Sequence, residues 1–137
     1  MTTKPALTLY DILLRASGLS QSEAANVHEA RLDSVQKWCS GKSTPPDGVL
    51  RELATLIVHQ TTQADRALEI IEEEDAPETD AVVLGLARSD KEAQELGWPS
   101  ITAQAITIAI VAAHVLDEGK EVEVVARDTF PIPHADG

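Results

Sequence analysis

At 137 residues, the chain has room for one ordinary domain or two small ones. Its residues are 43% hydrophobic but only 3% aromatic, so a core must be built from Leu, Ile, Val and Ala side chains, which favours helices. The single cysteine, Cys39, excludes an internal disulfide and fits a reducing cytoplasm. Because the first ten residues show no signal-peptide pattern, we expect a cytoplasmic protein.

The formal net charge of −12 is distributed unevenly along the chain. Residues 1–59 carry six basic and six acidic side chains, whereas residues 60–137 carry five basic and seventeen acidic ones. Acidic surface repels phosphate over about 8–10 Å at physiological salt. A nucleic-acid contact is therefore expected in the first part of the chain, and an adjacent acidic region would weaken it.

The first forty-six residues predict three short helices and a loop. Leu7, Leu9, Ile12, Leu13 and Ala16 recur at helical spacing. Gly18 then ends the first helix. Ser20 and Glu23 have the spacing of a capping box, which begins a second helix. The segments that follow are a helix over 21–27, a turn over 28–30, a helix over 32–39 and a loop over 40–46.

Two further helices are expected before residue 75. Val49, Leu50, Leu53, Ala54, Leu56 and Ile57 fall on one face of the first, which Asp47 caps. The second covers 60–74 and ends at the acidic run 72–75, because carboxylates oppose the macrodipole at a helix C-terminus. These segments predict a helical domain over 5–74 and an acidic linker over 75–80.

The remainder predicts a small α/β unit over 81–126 and a tail over 127–137. Its expected elements are a strand over 81–87, a helix from Ser89 or Asp90 to about Leu96, a nearly all-apolar helix over 101–116 and a strand over 121–125. The helix over 101–116 is too short and too often interrupted by polar residues to span a membrane, so a buried helix is expected. Because large apolar surfaces generally mark interfaces, we expect this unit to form a homodimer.

Residues 19–42 carry the most specific pattern in the chain. Leu19 begins the run Leu-Ser-Gln-Ser-Glu-Ala-Ala, Val35 begins Val-Gln-Lys-Trp, and Gly41-Lys42 closes the segment. In register and without a gap, these residues resemble the Cro/C1-type helix-turn-helix of the XRE family. A weaker resemblance links the chain to anti-CRISPR-associated autorepressors, which carry a Gly-Trp, an apolar helix and a terminal strand after the helix-turn-helix. The resemblance implies a mostly α fold, with a five-helix lambda-repressor-like domain followed by a small α/β dimerisation unit.

The resemblance also implies a role for each position. The second helix of the pair would enter the major groove of double-stranded DNA, while Gln21, Arg31 and Lys42 contact phosphates. The base-facing positions are Leu32, Asp33, Gln36 and Lys37, with Ser34 near the DNA backbone. Lysine donates to guanine, glutamine pairs with adenine, aspartate accepts from cytosine N4, and leucine contacts a thymine methyl. The packing positions between the two helices are Ala24, Ala25, Ala30, Val35 and Trp38.

The chain departs from the family pattern at the turn. Glu29 occupies a position that is usually glycine, which predicts backbone strain if φ is positive there. Arg31 stands at the N-cap of the third helix, where Ser or Thr would cap better. Both departures bear on how the third helix presents its side chains.

No cofactor, metal or catalytic pattern is apparent in the sequence. The histidines are scattered singly, Cys39 has no partner at metal-ligand spacing, and no Ser/His/Asp arrangement or phosphate-binding glycine loop occurs. We therefore expect a dimeric autorepressor that binds an inverted repeat, and not an enzyme. The alternative is an antitoxin-like module whose acidic C-terminal region masks a basic protein partner. A third possibility is an effector sensor with an apolar cleft lined by Trp98.

Overall fold

The computed structural model describes residues 3–74 and 80–127. Within these ranges the chain forms six helices and two strands. In chain order they are α1 (Leu9–Ser17), α2 (Gln21–His28), α3 (Leu32–Ser40), α4 (Asp47–Glu74), β1 (Val82–Leu86), α5 (Asp90–Glu95), α6 (Ile101–Asp117) and β2 (Val122–Ala126). The prediction of a mostly helical protein with a small α/β unit is confirmed. The linker residues 75–79 and the tail residues 128–137 lie outside the described residues.

The chain divides into two compact units, Met1–His59 and Gln60–Gly137, which we call the N-terminal and C-terminal units. The division falls within α4, which runs without a break where the sequence predicts two helices. Segment 58–63 contains no glycine or proline, and Gln60 takes a fully buried position there. The interruption of the apolar spacing is therefore not a helix end, and residues 5–74 hold four helices instead of five.

The N-terminal unit is built around the aromatic rings of Tyr10 and Trp38. Their ring centroids lie 5.5 Å apart in an edge-on arrangement, which turns Tyr10 and Leu14 of α1 inward. The apolar series of the sequence prediction is not the buried face, because Leu9 and Ile12 are exposed. The buried hydrophobic residues of this unit are Tyr10, Leu14, Leu19, Ala24, Ala25, Val35, Trp38, Val49 and Leu53.

Local hydrogen bonds fix the ends of α1 and α2. The capping box is confirmed: the Ser20 hydroxyl accepts from the Glu23 N–H at 3.1 Å, and the Glu23 carboxylate accepts from the Ser20 N–H at 2.9 Å. Gly18 ends α1 with φ 78°, as predicted. Thr8 caps α1 by accepting from the Asp11 N–H at 3.0 Å. Both helices thus begin and end on local signals.

The C-terminal unit contains a two-stranded parallel sheet in which Val82 pairs with Val122. Both strands lie within one residue of their predicted bounds. The crossover between them consists of α5, capped by Ser89, and α6, capped by Ser100. The core lies between the sheet, α6 and the second half of α4, and its central residues are Ala64, Val111 and Val115.

Helix α6 buries some of its polar side chains. In the sequence these residues look like interruptions of an apolar helix. The Gln104 side chain accepts from the Ala87 N–H at 2.9 Å, and the Thr107 hydroxyl donates to the Gln60 carbonyl at 3.4 Å. Apolar residues instead face outward, with Leu116 56% exposed. The expectation of a buried helix therefore holds for one face only. The backbone of α4 and of Ala87, just after β1, supplies partners for these polar groups.

Trp98 belongs to the packed interior of the C-terminal unit. It is buried, and its N–H donates to the Ala93 carbonyl at 2.9 Å. This position gives Trp98 a structural role in the connection between α5 and α6.

Candidate nucleic-acid interface

A tight three-residue turn joins α2 to α3. Glu29 adopts a left-handed conformation, with φ 55° and ψ 44°, and is the only residue other than glycine with positive φ in the described part of the chain. The turn is closed by the Ala30 N–H, which donates to the Ala25 carbonyl at 2.9 Å. Left-handed backbone costs an L-residue about 1–2 kcal/mol, so the strain expected at Glu29 is present.

Helix α3 separates its buried and exposed side chains cleanly. Of the five predicted packing positions, Val35 and Trp38 are buried, as are Ala24 and Ala25 of α2, whereas Ala30 is half-buried. Of the predicted base-facing positions, Leu32, Asp33, Gln36 and Lys37 are all exposed, and Ser34 is half-buried. An open depression of about 250 Å³ on this side is lined by Asp33, Gln36, Lys37, Ser40 and Lys42. The geometry therefore brings three of the four residues predicted to face bases together with Lys42.

An ion pair joins two side chains on this exposed face. The Lys37 Nζ lies 3.3 Å from the Asp33 Oδ2, with the two side chains 51% and 64% exposed. An exposed pair at this i, i+4 spacing contributes only about 0.3–0.5 kcal/mol to stability. It places a donor and an acceptor next to each other on the helix surface.

Gln21 and Cys39 connect the start of α2 to the end of α3. Burial raises the pKa of the Cys39 thiol, and a hydrogen bond from the Gln21 side chain opposes that rise. Asp11 also raises the Cys39 pKa. Gln21 lies in the first turn of α2, where backbone N–H groups favour an anion.

Arg31 and Lys42 flank α3 and are both exposed. Arg31 makes no side-chain capping hydrogen bond, as its residue type predicts. Lys42 follows Gly41, which ends α3 with φ 85°. A Cβ on Gly41 would lie 3.3 Å from the Thr8 methyl group, so glycine permits both the backbone turn and the close approach of α1. These two cations lie at opposite ends of the helix.

Arg15 of α1, a basic residue near the end of its helix, is paired within that helix. Its Nε lies 3.2 Å from the Asp11 Oδ2. Because this pair is largely exposed on the arginine side, it leaves the guanidinium accessible to solvent.

A partly buried polar network behind the turn has no counterpart in the sequence prediction. The His28 side chain, 0% exposed, contacts the Tyr10 hydroxyl through Nε2 at 3.0 Å and the Glu52 carboxylate through Nδ1 at 2.7 Å. Thr8 adds a second link, since its hydroxyl lies 3.2 Å from the Trp38 and Cys39 carbonyls. These partners are 18 to 31 residues apart, so no local spacing marks them.

Comparisons with known proteins add no assignment. No protein-family model matches the chain, and no curated protein matches it. In the ranges that the structure covers, no group of three or more His, Cys, Asp or Glu side chains is arranged to hold a metal ion. None of the described helices combines the length and the apolar character that crossing a membrane requires.

Proposed function

We propose that the chain is a sequence-specific DNA-binding transcriptional regulator, in which α2 and α3 form a helix-turn-helix and α3 enters the major groove. The observation that carries this proposal is the exposed face of α3, where Asp33, Gln36 and Lys37 surround a depression above a buried Val35–Trp38 face. The resemblance of residues 19–42 to the XRE family supports the same function.

The proposed contacts divide into positioning and base recognition. Gln21, Arg31 and Lys42 would bind phosphates and set the register of the protein on the duplex. Leu32, Asp33, Gln36 and Lys37 would contact base edges, with Ser34 close to the DNA backbone. Phosphate contacts at both ends of α3 would hold its exposed face against the groove.

The distribution of charge is compatible with this arrangement. Residues 1–59 have equal numbers of basic and acidic side chains, so the excess negative charge belongs to the C-terminal unit. Because phosphate attraction supplies most non-specific affinity, a neutral DNA-binding unit predicts weak binding to random DNA. Specific base contacts would then account for most of the operator affinity.

Two copies of the chain would bind one inverted repeat. A two-fold dimer places two recognition helices about one helical turn apart on the DNA. The outward side of α6 supports self-association, because Ala109, Ala113 and the 56% exposed Leu116 lie there and the helix has no Asp, Glu, Lys or Arg before Asp117. Bound dimers would repress transcription by blocking polymerase at the promoter.

The direct experiment measures binding of the full chain to the DNA immediately upstream of its own gene. Fluorescence anisotropy at several salt concentrations would compare that duplex with a scrambled one. We expect a salt-dependent, sequence-selective complex with two protomers per site. Absence of binding even at low salt, where phosphate attraction is strongest, would refute the proposal.

The charge of the C-terminal unit favours a second candidate, an antitoxin-like module that masks a basic partner. Residues 60–137 carry seventeen acidic and five basic side chains, and Glu121 and Glu123 are exposed at β2. Expression together with the neighbouring gene products would test this candidate. A basic protein that copurifies through the C-terminal unit would support it, and purification of the chain alone would count against it.

A further inference from the structure

The ion pair between Asp33 and Lys37 on α3 bears on which base pair the protein recognises. This inference rests on the proposed DNA-binding function. An ammonium group offers only hydrogen-bond donors, and an ionised carboxylate offers only acceptors. With the Lys37 Nζ 3.3 Å from the Asp33 Oδ2, the two side chains form one donor–acceptor unit. Both groups line the same open depression.

One G·C base pair presents the complementary groups in the major groove. Guanine N7 and O6 are neighbouring acceptors, and the cytosine N4 amino group is a donor beside them. An A·T pair also presents two acceptors, adenine N7 and thymine O4, but the adenine N6 donor lies between them, so they are not neighbours. The lysine therefore finds two adjacent acceptors only on guanine, while the aspartate accepts from the cytosine of the same pair.

The same carboxylate affects binding to DNA that lacks this base pair. A lysine that neutralises a phosphate releases counterions and gains affinity for any sequence. The carboxylate beside Lys37 repels phosphate and offers the ammonium a partner within the protein. Asp33 therefore weakens contacts between Lys37 and the phosphates of random DNA.

We propose that Asp33 and Lys37 act together to contact one G·C base pair in each half-site, and that Asp33 is a specificity-determining residue. The carboxylate adds a base contact on the correct site and suppresses phosphate contacts elsewhere. The ion pair is thus a discriminating element, in keeping with its small contribution to folding.

The test uses the full chain and selection from random-sequence DNA duplexes, comparing wild type with Asp33→Asn. This change removes the charge and nearly preserves the shape. Asp47→Asn is the matched control, because it makes the same charge change at an exposed position in the first turn of α4. Circular dichroism would establish that both variants fold.

We expect wild type and Asp47→Asn to enrich the same site, with a G·C pair required at one position of each half-site. In Asp33→Asn, discrimination at that position should fall about 5-fold, because the amide oxygen still accepts from cytosine N4 but lacks the charge, and the amide nitrogen also allows a contact with an A·T pair. On random duplex, the slope of log affinity against log salt should steepen by about 0.9 for Asp33→Asn only. Lys37→Gln should lose the same base preference without steepening the slope.

Two results would overturn the inference while DNA binding stands. One is an unchanged G·C preference and salt slope in Asp33→Asn. The other is an equal gain of random-duplex affinity in Asp33→Asn and Asp47→Asn, which would show that only net charge matters. If wild type enriches no sequence and binds no duplex at low salt, the proposed function itself fails.

Discussion

Helices α3 and α6 differ in which of their side chains they bury. Helix α3 buries Val35 and Trp38 and exposes Asp33, Gln36 and Lys37. Helix α6 buries Gln104 and Thr107 beside its valines and exposes Leu116. The hydrophobic pattern therefore accounts for the buried face of α3, whereas that of α6 also depends on backbone partners in α4 and at Ala87, just after β1. The orientation of an apolar helix is therefore set by its few buried polar side chains, which need hydrogen-bond partners.

The largest expected effect is the loss of the apolar packing that holds α3, which a substitution at Trp38 would remove. Trp38→Ala would remove the ring that packs edge-on against Tyr10 and leave a cavity, so the free energy of unfolding should fall by about 3–5 kcal/mol. Urea unfolding followed by far-UV circular dichroism would measure the loss. A loss below about 1 kcal/mol would show that α3 is not held by its apolar face.

The polar side is tested by the same substitution in both helices. Gln104→Leu leaves the N–H of buried Ala87 without its acceptor, and should cost about 1–3 kcal/mol. Gln36→Leu on the exposed face of α3 is the matched control and should stay within about 0.5 kcal/mol of wild type. Equal unfolding midpoints for the two variants would contradict the contrast between the helices.

A pH titration would probe the core behind α3. Burial raises the pKa of the Tyr10 hydroxyl far above its ordinary value near 10, with the negative charges of Cys39 and Glu52 adding to the rise. The folded state keeps this proton while the unfolded state loses it, so stability should fall as pH rises above about 10, by up to about 1.4 kcal/mol per pH unit.

Tyr10 is the only tyrosine in the chain, so Tyr10→Phe isolates this contribution. Urea midpoints between about pH 8 and 11 should decline less steeply for Tyr10→Phe than for wild type. Parallel declines would show that other groups cause the loss.

The smallest expected effect concerns the turn that presents α3. Glu29→Gly would relieve the left-handed strain at φ 55°. The greater freedom of glycine in the unfolded chain offsets part of this gain, so the free energy of unfolding should rise by about 0.5–1 kcal/mol. Glu29→Gln keeps the strain and should leave the thermal midpoint unchanged. A gain in both variants would indicate that the charge, and not the backbone, was unfavourable.

Local signals made several elements predictable from sequence. Ser20 with Glu23, Gly18 and Ser100 each act within a few residues of their partners, so helix ends can be found without tertiary information. The exposed residues of α3 follow from the period of its buried residues. The strain at Glu29 follows from residue type and position in the turn.

The rest depends on contacts between distant residues. Helix α1 has apolar residues on two faces, one with Leu9 and Ile12 and one with Tyr10 and Leu14. The face with Tyr10 is buried because Tyr10 packs against Trp38. Gln60 looks like a break in apolar spacing, yet its amide donates to the Ala103 carbonyl 43 residues away, and α4 continues through it.

The setting of His28 constrains how this protein can diverge. Its two ring nitrogens are engaged by residues of α1 and α4 at 3.0 and 2.7 Å, and a replacement at position 10 or 52 leaves one nitrogen of the buried His28 ring without its partner. Few other side chains can make two hydrogen bonds in opposite directions, as the two nitrogens of the imidazole ring do. Among related sequences, positions 10, 28 and 52 should therefore change together, and an alignment of such sequences should show covariation among them.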